Sequence, residues 1–162
     1  MTTVYESLVN ELKLQLNLKK IEFKNIECKN IEFKNIFRLI NNQKYDEITK
    51  IIDDANIQSL INDIETEREK IGNNLEKKLN NLIWLNELLI IFGEEPHTSL
   101  KEALKFFKKN VFINIYDLEA GFYEKRTTKE LLKKELRKHP DRRYPLHSAK
   151  KNVTLKCFLI KM

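Results

Sequence analysis

Eleven basic side chains crowd into residues 125–151: Lys125, Arg126, Lys129, Lys133, Lys134, Arg137, Lys138, Arg142, Arg143, Lys150 and Lys151. Only Glu130, Glu135 and Asp141 oppose them. A stretch of this kind repels itself and seeks anions, whether phosphates, an acidic protein surface or the chain's own acidic half. The residues best placed to contact phosphates are Lys133, Lys134, Arg137, Lys138, Arg142 and Arg143, with Lys150 and Lys151 further along. Tyr144 beside them would supply a ring for stacking on a base. Six such contacts on duplex DNA would give a salt slope of about −5.

Other chemistry-bearing residues are sparse. His139 and His147 flank Asp141, yet no HExxH or paired-cysteine spacing marks a metal site, and Pro140 and Pro145 make the segment a rigid loop. Cys157 follows Lys156 and precedes Phe158 in an apolar run, where a thiol is expected in the core rather than acting as a nucleophile. With Cys28 it forms a pair of reduced, buried thiols, in keeping with the cytoplasm or nucleus. The acidic pairs Asp53-Asp54 and Glu94-Glu95 stand beside helix ends and read as solvated caps. There is no Gly-rich phosphate loop. The expectation is a non-enzymatic protein with no catalytic residues, metal, cofactor or small-molecule substrate.

Charge divides the chain into an acidic region, residues 1–97, and a basic one, residues 98–162. The first holds 13 Lys/Arg against 17 Asp/Glu and the second 17 against 7, giving the whole chain a net charge of +6. Lysine, asparagine and isoleucine are also what an AT-rich genome supplies, but base composition does not account for the segregation of the acids. With 41% hydrophobic residues there is material for a core, and three glycines and three prolines leave few helix breaks. No apolar run is long enough for a membrane span, and the first residues lack the basic and apolar regions of a signal peptide.

The expected fold is mainly α, with a small α+β module in the basic region and a short β segment as one reading of residues 16–35. That segment repeats every five residues: LNLKK, IEFKN, IECKN, IEFKN. Extended, each unit points two apolar residues to one side and places Lys-Asn at a corner, as Asn tolerates left-handed φ. Helical, it leaves Phe23, Ile26, Phe33, Phe37 and Ile40 on a rough stripe. Residues 46–55 form an amphipathic helix broken at Asp53-Asp54. A longer helix then carries Ile61, Ile64, Ile71, Leu75, Leu79, Leu82, Ile83 and Leu89 to Gly93, with Trp84 in the core. Helices in residues 46–92 offer a surface for a homo-oligomer. Ser99-x-x-Glu102 and Thr127-x-x-Glu130 are capping boxes that open helices, the second stopped by Pro140. Residues 111–116, VFINIY, read as a strand. Val153, Cys157 and Ile160 favour a final helix.

Three resemblances follow from these residues. The pentads resemble the pentapeptide-repeat β-helix, although Ile stands where that family has a small residue and the run stops after four units. From Ser99-Leu100-Lys101 onward the chain resembles a group of small, largely uncharacterised fungal proteins. The match continues through Phe112-Ile113-Asn114-Ile115-Tyr116-Asp117-Leu118, Lys129-Glu130-Leu131, Tyr144-Pro145, Ala149-Lys150-Lys151, Leu155 and Phe158-Leu159. It implies a shared fold over about 65 residues and carries no activity; Asn152 and Val153 replace the group's usual glycines. Residues 131–143, LLKKELRKHPDRR, resemble the second helix and His-Pro-Asp loop of a J-domain, which would imply co-chaperone activity. Here the preceding helix is about a turn short, and the expected third helix lacks its pattern.

Two functions are therefore weighed. One is an interaction protein that uses a helical arm and the basic module to bind an acidic protein surface. The other is a nucleic-acid-binding protein that contacts phosphates through residues 125–151.

Overall fold

The computed structural model describes residues 2–22, 32–149 and 151–159. Its elements are helices, in the order α1 (Val4–Glu22), α2 (Phe33–Asn41), α3 (Tyr45–Ile51), α4 (Ala55–Leu79), α5 (Leu82–Ile91), α6 (Leu100–Asn110), α7 (Ile115–Ala120), α8 (Lys129–Lys138) and α9 (Val153–Phe158). Short 3-10 turns at Tyr123–Lys125, Pro140–Arg142 and Leu146–Ala149 join the later ones. The chain divides into two compact units, Met1–Arg68 with His139–Asp141, and Glu69–Lys138 with Arg142–Met162. The division falls inside α4, so the charge boundary at residue 97 lies within the second unit.

The first unit is built on apolar residues at helical spacing. Tyr5, Val9, Leu12 and Leu16 of α1 are buried, as are Ile36, Phe37 and Ile40 of α2, Ile48 of α3, and Ile57, Ile61 and Ile64 of α4. The α1 stripe steps by four, three and four residues and so continues as helix into the pentads. Residues 16–22 and 33–35 are accordingly helical, and no strand occurs among the described residues. Phe23, Ile26, Cys28 and Ile31, the centre of the repeat, lie outside them.

The break at Asp53-Asp54 is present. Asp54 Oδ1 accepts from the backbone N–H groups of Asn56 (2.9 Å) and Ile57 (3.1 Å), so it caps α4. Lys19 Nζ lies 2.9 Å from its other carboxylate oxygen.

Arg68 is fully buried at the end of the first unit's part of α4. Its guanidinium donates to Asn41 Oδ1 (2.7 Å), to Tyr5 Oη (3.4 Å) and to Glu65 Oε1 (3.0 Å), and it stacks 5.0 Å from the Phe37 ring. Tyr5 and Asn41 donate in turn to the carbonyls of Asp141 and Pro140. These bonds tie residues 139–141 into the first unit.

In the second unit the long helix expected through residue 89 is two helices. The chain turns at Asn80-Asn81, and Asn81 Oδ1 accepts from Trp84 N at 3.2 Å to open α5. An asparagine pair offers local capping bonds that compete with helix continuation. Trp84 is consequently half-buried rather than core, with Lys78 over its ring at 5.9 Å. Gly93, at φ +77, ends α5 as expected. The predicted strand at 111–116 is not formed. Phe112 makes one isolated antiparallel bridge to Thr127, and from Asn114, whose side chain caps Tyr116 N, the chain turns into α7. Its side chains fill the core instead: Val111, Ile113 and Tyr116 are buried, as is Leu118 just beyond. The α+β module is thus helical, with one bridge. Ser99 caps α6 through Glu102 N (3.2 Å), whereas α8 is capped by Thr128, through Leu131 N (3.3 Å), rather than by Thr127.

A candidate docking groove in the second unit

The groove begins with how the last helix is held. α9 has no capping bond from its own N-cap residue, Asn152. Glu76 of α4 supplies it, its two carboxylate oxygens accepting from Thr154 N (2.9 Å) and Leu155 N (2.7 Å). A carboxylate there also suits the positive end of the helix dipole. With α9 fixed, Leu155 is buried, and Phe158 meets Phe107 of α6 edge-on at 5.3 Å.

Between these elements lies an open cavity of about 480 Å³. Leu75, Leu79, Phe107, Val111, Leu118, Leu132 and Leu155 form its apolar wall, and Lys108, Lys129, Lys133 and Lys156 stand among them. None of its described lining residues carries a carboxylate. A second hollow of about 290 Å³ shares Ile113, Ile115, Leu132, Lys156, Phe158 and Leu159 with it, and adds Leu136, Arg142, Arg143, Tyr144 and Leu146. Apolar walls among converging cations fit a ligand that is itself apolar on one side and anionic at its edge.

The residues predicted to bind anions divide into three groups. Lys134, Arg137 and Lys138 are exposed on one face of α8, at i, i+3 and i+4, and Arg143 and Lys151 are exposed as well. Lys133 turns toward the cavity. Arg142 and Tyr144 serve the interior instead. Arg142 pairs with Asp117 Oδ1 (2.7 Å) and Glu135 Oε1 (3.3 Å). Burial pulls its pKa down, but the hydrogen bond and charge of Asp117, with Glu135, outweigh this and leave it above the ordinary arginine value. Tyr144 is buried, its ring 5.9 Å from Tyr116 and its hydroxyl donating to Ser148 O at 3.3 Å, so it presents no face to a base. A Cβ at Gly72 would collide with that hydroxyl, which is why α4 carries a glycine in its last third. Lys150 lies outside the described residues.

Two more cations of the basic stretch are structural. Arg126 donates to the carbonyls of Phe92 (3.3 Å) and Asn110 (3.0 Å) and to Glu94 (3.3 Å), closing the ends of α5 and α6. Lys125 approaches Asp117 at 3.7 Å. Cys157, expected in the core, is exposed because α9 turns Leu155 inward and Val153 and Cys157 outward.

Lys129 belongs to the basic stretch of residues 125–151 but, like Lys108 and Lys156, is not among the residues expected to bind anions. The signals available were the i, i+4 pair Lys129/Lys133 and the position of Lys108 just after the inward Phe107. In the His-Pro-Asp tripeptide His139 is exposed, whereas Pro140 and Asp141 are buried. No group of His, Cys, Asp or Glu suited to holding a metal occurs among the described residues. No described helix is long and apolar enough to cross a membrane.

No family model, curated protein or solved structure matches this chain.

Proposed function

We propose that this is a non-enzymatic interaction protein that docks an acidic, partly apolar helical segment of a protein partner in the lysine-lined groove of its second unit. The observation that carries this reading is the convergence of Lys108, Lys129, Lys133 and Lys156, from three helices, on an apolar cavity with no carboxylate among its described lining. Lysines in this setting cover apolar surface with their stems and offer their ammonium groups to an anionic rim. They set orientation and association rate, while the apolar wall supplies affinity.

The nucleic-acid reading keeps the exposed face of Lys134, Arg137 and Lys138, with Arg143 and Lys151. It loses Arg142 and Tyr144 to internal contacts, so the arrangement favours a protein ligand.

A short fluorescent model helix, with isoleucine and leucine on one face and glutamate on the other, tests the two. It is expected to raise its anisotropy on binding the full chain, and the double variant Lys129→Glu/Lys133→Glu should weaken binding about tenfold or more. Replacing the peptide's glutamates by lysine should abolish binding. Equal binding to the variant would overturn the docking role of the groove. A gel shift with duplex DNA and RNA that is lost in Lys134→Ala/Arg137→Ala/Lys138→Ala would favour the alternative.

A further inference from the structure

α5 is seated in the second unit by Leu85, Leu88 and Leu89, all buried. Its opposite face is apolar too. Ile83 is 72% exposed, Ile90 60% and Ile91 61%, and with exposed Glu87 they fall on one stripe at i, i+4, i+7 and i+8. Three large exposed aliphatic side chains on one helix face, Ile90 and Ile91 adjacent and Ile83 two turns away, are more than isoleucines scattered singly. Glu87 sits in the middle of the stripe, and the exposed Glu95 follows the helix.

This is the chemistry that suits the groove: an aliphatic helix face with a carboxylate within it. Both halves lie on one chain, so each is always present at the concentration of the other. Two copies of α5 pairing symmetrically would bring Glu87 against Glu87, a like-charge juxtaposition that opposes association. Placed instead among Lys108, Lys129, Lys133 and Lys156 of another copy, the same carboxylate meets only cations.

We infer that the occupant of the groove is α5 of a second copy of this chain, joined head to tail through Ile83, Ile90 and Ile91. The inference rests on the docking role proposed for the groove and names its partner. A contact between two different patches does not close on itself after one step; it builds rings or open chains of copies.

Sedimentation of the full-length protein, from micromolar to near-millimolar concentration, is the test. The average mass should rise with concentration without stopping at a dimer, and should fall at high salt because the rim contacts are exposed ion pairs. Two variants then separate the halves: Ile83→Asp/Ile90→Asp removes the stripe, and Lys129→Glu/Lys133→Glu removes the groove. Each alone should remain monomeric with an unchanged unfolding midpoint, since all four positions lie at or near the surface. Mixed in equal amounts they should form a one-to-one dimer and nothing larger, one intact stripe meeting one intact groove. The milder Ile90→Ser should weaken assembly in the same direction if the double aspartate proves unstable.

A wild type that stays monomeric overturns the inference, as does a mixture that fails to dimerise or a variant that assembles alone. If the wild type is monomeric and still binds the acidic model helix through Lys129 and Lys133, self-docking falls and the groove's role stands. If both binding and assembly are absent, both fall.

Discussion

Each unit has an arginine at its heart, and the two are held differently. Arg68 in the first unit has no solvent exposure and is surrounded by the amide of Asn41, the hydroxyl of Tyr5, the ring of Phe37 and the carboxylate of Glu65. Arg142 in the second keeps some exposure and binds two carboxylates, Asp117 and Glu135, with Tyr116 under its face at 5.9 Å. A fully desolvated cation is costly to leave unpaired, so each bond around Arg68 is held against a large penalty. Arg142 stays partly exposed and has two acids, so losing one partner leaves it another. Burial, more than the number of ion pairs, separates a centre that must be complete from one that tolerates damage.

The largest expected effect comes from breaking the first centre. Arg68→Ala should lower unfolding free energy by about 3–5 kcal/mol, because Glu65, Asn41 and Tyr5 keep their polar atoms and lose their donor. Arg68→Met, which preserves volume, should cost less, and urea unfolding measures both. An alanine variant within about 1 kcal/mol of wild type would remove the contrast between the centres.

The second centre can be attacked from beneath. Gly72→Ala would gain about 1 kcal/mol from helix propensity alone. The collision with Tyr144 should outweigh this and give a net loss of about 1–3 kcal/mol. In a Tyr144→Phe background the same change should cost clearly less, a coupling that a double-mutant cycle reads directly.

Asp117→Asn comes next, at about 1–3 kcal/mol. It weakens the bond to Arg142 while leaving Glu135 in place, and it should stay below the cost of Arg68→Ala under the same urea titration.

The smallest effect belongs to the surface pair Lys19–Asp54. The hydrogen bond from Lys19, then the one from Ile57 N, hold the Asp54 carboxyl below its ordinary value. A depressed carboxylate stabilises the fold above its unfolded pKa, and that contribution is lost as pH falls through the folded one. Lys19, raised chiefly by its bond to Asp54, contributes below its unfolded pKa and loses that contribution as pH rises through the folded value. Stability measured from neutral pH into acid should therefore fall slightly less steeply in Asp54→Asn, whose amide oxygen can still cap α4.

Much of the helical framework is legible in the residues themselves. The stripe in α4, the Ser99 cap and the Gly93 stop are local, and local rules read them. The break at Asn80-Asn81 is a local misreading, whereas three others share a different cause, a neighbour distant in sequence. The β-branched run at 111–116 answers to the core around it rather than to a sheet. Tyr144 looked like part of a basic surface until Gly72, half the chain away, gave its hydroxyl a place. Cys157 points outward because Glu76 sets the start of α9. The groove was the least legible feature, since Lys108, Lys129 and Lys156 are assembled only when three helices pack, and no linear pattern joins them.

The three residues His139–Asp141 give the chain a consequence for its own synthesis. The bonds from Tyr5 and Asn41 cannot close until the ribosome has delivered residue 141, by which point Glu69–Lys138 of the other unit has been made and Arg142–Met162 has not. For these two bonds, an early portion that is completed before a later one begins is therefore ruled out. Any truncation ending between α4 and Pro140 leaves Tyr5 and Asn41 donating to carbonyls that are not there, so deletion mapping would report loss of the amino-terminal half when only its clasp had been removed.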